Sequence, residues 1–365
     1  MKTINPKSNL LIWHSIVFLF FLYPQSIFPN SSPDRPALTN QSFRNALDLW
    51  FADEAEARQT HGPIGDWNVS KVTNMNKAFK NRNQFNEDIS DWEVSSVRDM
   101  AFMFEGATSF DQDIGDWDLS SVTVMQGMFM RASSFDQDIG DWNVSKVVNA
   151  IQLFSHAQSF NRDLSQWDLS SVRNLSLIFD RATSFNQPIG NWDLSSVTKM
   201  SGAFNGAVSF NQPIANWNVS SVTNMTAAFQ GATAFDQDIG SWDVSSVLYF
   251  RNTFKNASSF NQNLANWDVS QATDLGWLFY NADSFDQDLS DWDIRSATQL
   301  SQMFVSADSL SDANKVEMHA SFSANPNWAT QWTPLVPGTI SDLNFKDLLN
   351  FWFADEVNAT ATFGH

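Results

Sequence analysis

The chain has no cysteine in its 365 residues, which excludes disulfides, thiolate catalysis and cysteine-ligated zinc and leaves stability to packing alone. Basic residues are scarce: 21 Lys and Arg face 40 Asp and Glu, a formal charge of −19. Nucleic-acid affinity comes mainly from cations that displace phosphate counterions, so a nucleic-acid partner is not expected. Histidine is sparse too, at His14, His61, His156, His319 and His365. None of these recurs by position, which gives no support to a histidine metal cluster or a triad. The sequence therefore points to no catalytic residue, no cofactor and no enzyme activity.

What is abundant is aromatic. The 32 Phe and 16 Trp make the chain far too apolar for a disordered acidic polymer, so a packed core is expected. At the N-terminus, Lys2 and Lys7 precede an apolar run from Leu10 to Tyr23, followed by Pro24 and a polar stretch. That run suits a signal peptide over residues 1–28 better than a full span of about 20 residues, with an uncleaved anchor, and so a membrane contact, as the rival reading. Secretion or cell-surface display is the expected location.

The strongest pattern is a repeat. Trp67, Trp92, Trp117, Trp142, Trp167, Trp192, Trp217, Trp242, Trp267 and Trp292 follow one another at intervals of 25 residues without a slip. A Phe column (Phe79, Phe104, Phe129) follows twelve residues after each Trp, and a second (Phe85, Phe110, Phe135) six further on. Val or Leu, Met, Ile and Ala columns complete the set. A fixed period of this size means one supersecondary unit per period, each covering the next, because a single coil cannot bury its own apolar face. The expected domain is a ten-coil array over 61–310.

Within a coil, "VTNMTAAF" spaces Val222, Met225 and Phe229 by three and four, which predicts a helical turn. "SFNQPIANW" fits no helix and suits a short strand and turn, paired in parallel with its copies. Pro188 and Pro213 share one column, which must lie outside the hydrogen-bonded ladder or at a bulge. A capping helix is expected over 39–60, with Phe43, Ala46, Leu47, Trp50 and Phe51 at helical spacing. A C-terminal cap is expected over 311–332 and a linker over 333–341. Residues 342–365 repeat the first cap at a constant offset of 302, pairing Trp50 with Trp352. They read as the start of a second array in a truncated tandem protein.

Carboxylates crowd "SFDQDIGDW" (109–117). An active site needs one constellation with divergent environments, whereas this one is copied along the chain. The column Asn86, Asp111, Asp136, Asn161, Asn186, Asn211, Asp236, Asn261 and Asp286 admits only Asn and Asp, so it needs their side-chain oxygen and not their charge. An Asx turn or a side-chain ladder supplies that need. The columns flanking Trp mix Asp and Asn as well and are expected to accept from the indole N–H or from turn amides. Calcium at Asp111, Asp113, Asp116, Asp118, Asp136 and Asp138 is the alternative, since hard oxygen ligands on turns suit that ion. Sequons offer glycosylation at Asn174, Asn224, Asn256 and Asn358.

The unit "VTNMTAAFQGATAFDQDIGSWDVSS" (222–246) resembles the BspA-like leucine-rich-repeat surface proteins, in the 25-residue subclass first catalogued as an uncharacterised mycoplasma domain. The likeness runs from about Gly62 to Leu310, with departures at Ala150, Phe250, Ala272 and Ala297. It implies an α/β solenoid: a right-handed leucine-rich-repeat-like stack of about ten coils, with short parallel strands, helical turns and helical caps at both ends. It also implies surface display and recognition or adhesion toward a protein or glycan ligand. A calcium-dependent wall or matrix component is the second reading, and an unrecognised enzyme the remote third.

Overall fold

Every 25 residues the backbone returns to an equivalent place one coil further on. Asn74 pairs with Asp99, Asp99 with Val124, and so on to Gln299, each as one isolated parallel bridge. The computed structural model describes residues 36–328. The signal or anchor segment at 1–28, the linker at 333–341, the second cap at 342–365 and Asn358 lie outside the described residues.

Past each bridge the chain does not continue as a strand. The N–H groups of Met75, Lys77, Phe79 and Asn81 donate to the carbonyls of Asp99, Ala101, Met103 and Glu105 in the next coil, at 2.6–2.9 Å. The N–H groups that alternate with them, on Ala78, Lys80 and then Arg82, fold back to the carbonyls of Met75, Lys77 and Phe79. Lys77 and Asn81 both lie at φ 60°. A hydrogen-bonded turn with a left-handed third residue is the signature of a type II turn, so two such turns follow each other in every coil. The helical turn expected from the spacing of Val222, Met225 and Phe229 is replaced by this arrangement. Among the described residues no helix lies between the 3-10 turn Ile64–Asp66 and the helix that opens at Asp312. The reason is hydrogen-bond economy. A helix would consume every amide within its own coil, whereas linked turns keep alternate amides free for the neighbour and still aim Met and Phe inward.

The interior is a set of side-chain columns running along the stack. The tryptophans of the repeat are buried, 2–4 % exposed, with neighbouring rings stacked as in Trp92–Trp117 at 6.5 Å and 4°. From Trp92 to Trp292 each indole N–H donates to the carbonyl of the Ile or Leu 28 residues earlier, at 2.9–3.2 Å. The two Phe columns pack face to face within a coil, as Phe104 on Phe110 at 3.9 Å, and along the stack, as Phe104 on Phe129 at 5.6 Å. Ala150, Phe250, Ala272 and Ala297 are all buried in place. Near one of these departures, Thr253 satisfies its buried hydroxyl on the carbonyls of Phe250 and Met225.

The N-terminal cap is two helices: α1 (Asn40–Ala52) and α2 (Glu54–His61). Asp53, at φ −149° ψ 91°, closes α1 and accepts from Glu56 N–H to open α2, which breaks the single helix expected over 39–60. Phe43 and Trp50 meet the first indole edge-on. Asn40 supplies the oxygen that a preceding coil would have offered, accepting from Thr73 N–H at 2.8 Å. At the other end α3 (Asp312–Phe322) is capped by Ser311. Trp328 sets its ring edge-on against Phe304, and buried Asn325 donates to the carbonyls of Ile294 and Ala297. Both ends of the array thus meet polar groups that match its open ladder, as terminal repeats must. No helix among the described residues is long and apolar enough to cross a membrane.

Candidate interaction surface

The acidic columns resolve into separate jobs. Asp111, Asp136 and their Asn counterparts each accept the N–H of the equivalent residue in the next coil, at 2.9 Å along the whole series. The following Gln reinforces the rung, as Gln137 Nε2 to Asp111 Oδ1 at 2.8 Å, and Arg162 does so as a cation on Asp136. Asp113 and Asp138 act inside their own coil, accepting from the N–H two residues on at Gly115 and Gly140. Where Pro188 and Pro213 stand in that column, the fixed φ of proline takes over the turn. Asp118 and its column likewise accept from the Ser N–H two residues on, whereas the indole takes a backbone carbonyl, so the flanking acids do not serve the Trp. Asp116 is exposed beside Trp117. Among the described residues no group of three or more His, Asp or Glu is placed to hold a metal ion.

These turn bonds have a measurable acid signature. Ser90 and Ser245 each give a hydroxyl and an amide to Asp88 and Asp243, which holds both carboxyls below the usual range. The Arg295 guanidinium takes Asp293 down to about 2. A folded pKa below the unfolded value of 3.8 means stabilisation that is complete above the unfolded pKa and lost as pH falls through the folded one. Asp88 and Asp243 are exposed and Asp293 is partly so, so each contributes little and the effect is the sum over coils. The melting temperature is expected to decline from about pH 4.5 toward pH 2. Ser245→Ala should raise the titration midpoint of Asp243 in an NMR titration, and an unchanged midpoint would refute the assignment.

The face that carries the bridges and turns is different in kind. Its outward columns hold Lys77, Phe102, Gly127, Gln152, Leu177, Gly202, Ala227, Asn252, Trp277 and Gln302 in one file. A second file, four residues on, runs Asn81, Gly106, Arg131, His156, Arg181, Gly206. Both files sit at positive φ throughout, and basic, amide, aliphatic and aromatic side chains all occur in them, though no carboxylate does. Large residues lean over the next coil. A Cβ on Gly127 would stand 2.6 Å from the Phe102 ring, and one on Gly202 2.6 Å from Leu177 Cδ2. Glycine thus follows bulk, because at these positions it supplies both the left-handed backbone and the space.

One cluster was not visible in the sequence. Ser155, His156 and Asp180 meet on this face, with Ser155 Oγ 3.0 Å from His156 Nδ1 and donating to Asp180 Oδ2 at 3.1 Å. Asn205 Nδ2 donates to the other carboxylate oxygen at 2.7 Å. Burial lowers the His156 pKa against the opposing pull of Asp180, and Arg181 and Arg131 lower it further. A nucleophile relay needs the serine on one imidazole nitrogen and the acid on the other. Here both approach Nδ1, and Ser155 is 1 % exposed. The signal that would have found the cluster is the 25-residue offset between Ser155 and Asp180.

Of the sequons, Asn174 and Asn224 lie in the bridge column and accept from Ser176 and Thr226 N–H. Asn256 accepts from Asn281 Nδ2.

A stack of like coils, with helical caps at both ends of the described residues, defines a tandem-repeat protein. The chain belongs to the family DUF285, described as a Mycoplasma protein of unknown function, whose model matches residues 45–165, 139–239 and 211–317. No curated protein matches the chain significantly.

Proposed function

We propose that the protein is a secreted or cell-surface, non-catalytic recognition scaffold, a BspA-like member of the leucine-rich-repeat class with a right-handed solenoid. One observation supports this reading above the rest. Columns that do structural work repeat within narrow chemical limits, whereas the positive-φ files on the bridge face vary from Gly to Trp and from Lys to Leu. A surface whose backbone is held constant and whose side chains are free is what a binding face on a repeat scaffold requires. The acids of the Asp111, Asp113 and Asp118 columns, by contrast, are occupied by turns and rungs. The partner is a protein or a glycan.

Screening the secreted chain against glycan and protein arrays, with and without calcium, tests the proposal. A discrete ligand whose binding is lost on substitution along the bridge face is expected. Calcium-dependent self-association with no discrete ligand would instead favour a wall or matrix role and overturn recognition.

A further inference from the structure

Resting on that reading, we propose that the recognition face takes a neutral glycan at the aromatic platform around Trp277. Outside the buried columns the array carries aromatic side chains only at Phe102, Tyr249, Trp277 and Tyr280. Three of the four share two adjacent coils. Trp277 is a half-buried indole at φ 54°, a conformation that bulky side chains rarely accept and that persists where the surroundings demand it. Its file accepts glycine twice, so packing does not require tryptophan there.

The surroundings hold the ring still. The Arg251 guanidinium lies 4.0 Å from the ring centroid and is steadied by Asp274 Oδ2 at 3.4 Å. Gly276 makes room for it, since a Cβ there would stand 3.3 Å from Arg251 Nη1. The indole N–H donates to Gln302 Oε1. Lys255 Nζ reaches both rings, 5.8 Å from Trp277 and 5.1 Å from Tyr280, so the two aromatics are neighbours. Tyr249 is 44 % exposed. An immobilised ring loses little entropy when a ligand stacks on it.

The chemistry of this patch favours sugar. Aromatic rings offer a face to the apolar C–H side of a pyranose, and planar amide, carboxylate and guanidinium groups reach its hydroxyls in pairs. The net charge of −19 disfavours polyanions at long range, while Arg251 and Lys255 make the patch itself locally cationic, so the polygalacturonate arm of the test decides between an anionic and a neutral chain.

The test uses the full secreted chain on an array carrying cellohexaose, laminarihexaose, mannohexaose and chitohexaose, with polygalacturonate and a protein panel beside them. The decisive variant is Trp277→Gly, which suits the positive φ and loses the indole's contacts with Arg251 and Gln302, so its folding is checked by its melting temperature and amide protection. Binding of a neutral hexaose that falls at least tenfold in Trp277→Gly supports the proposal. So does a shift of the Trp277 indole N–H resonance on titrating that hexaose into the unaltered chain. A neutral glycan bound equally well by the variant, or binding confined to polygalacturonate or to proteins, overturns this proposal and leaves the recognition reading standing. Absence of any ligand in all three classes overturns both.

Discussion

Trp167→Ala is expected to destabilise the array by about 3–5 kcal/mol, the range for emptying a large aromatic site. The ring is 3 % exposed, stacks on Trp142 at 6.4 Å and lies 6.0 Å from Phe154. Its N–H satisfies the Ile139 carbonyl at 3.0 Å, which the substitution leaves unpaired inside the core. Trp167→Phe keeps most of the apolar area and loses the N–H, so it should cost about 1–2 kcal/mol. In a repeat stack each coil contacts only its neighbours, so damage should be local before it is global. Hydrogen exchange is the suitable measurement: amides of the coils flanking Trp167 should lose protection while those near Trp267 keep theirs. A uniform loss along the array would show that the coils do not behave as nearest-neighbour units. A cost below about 1 kcal/mol would show that the indole column is not a principal source of stability.

The second expected result separates charge from hydrogen bonding. Asn186 Oδ1 accepts the Asn211 N–H at 2.9 Å and Gln212 Nε2 at 3.1 Å. Asn186→Ala removes both bonds and leaves an amide between coils without its acceptor, for an expected loss of about 1–3 kcal/mol. Asn186→Asp keeps the oxygen, and its neighbours in the column, Asn161 and Asn211, are uncharged. It is expected to change stability by no more than about 0.5 kcal/mol at neutral pH. Thermal unfolding of the two variants side by side gives the answer. If Asp proves as costly as Ala, the column selects the amide and not the shared oxygen.

How far the residues themselves reveal this arrangement differs from one column to the next. The period and the inward columns are legible because burial constrains chemistry strongly, so that Trp and Phe recur at fixed places. The Asn/Asp alternation in the column of Asp111 is legible as a need for oxygen. It does not say whether that oxygen turns back into its own coil, as Asp113 does, or crosses to the next, as Asp111 does. Nothing local distinguishes the two, since both use the same side chain at the same reach. The spacing of Val222, Met225 and Phe229 misleads for a related reason. Inward aim every third or fourth residue is shared by a helix and by linked turns. The choice between them rests on amides that pair with carbonyls 24 residues away in sequence. Asp53 is similar: a helix interior and a double cap look alike until the chain must bend over the first coil.

The sequence by itself determined the repeat length, the columns that are buried, the narrow chemistry of the acidic positions and the strongly negative surface. Each of these follows from one coil's composition, copied along the chain. Only the tertiary structure decided which amides serve the neighbouring coil, which residues must adopt positive φ, and that Arg251, Trp277 and Tyr280 share one patch. Those features depend on what stands one coil away, and contact across coils is set by stacking and not by proximity along the chain.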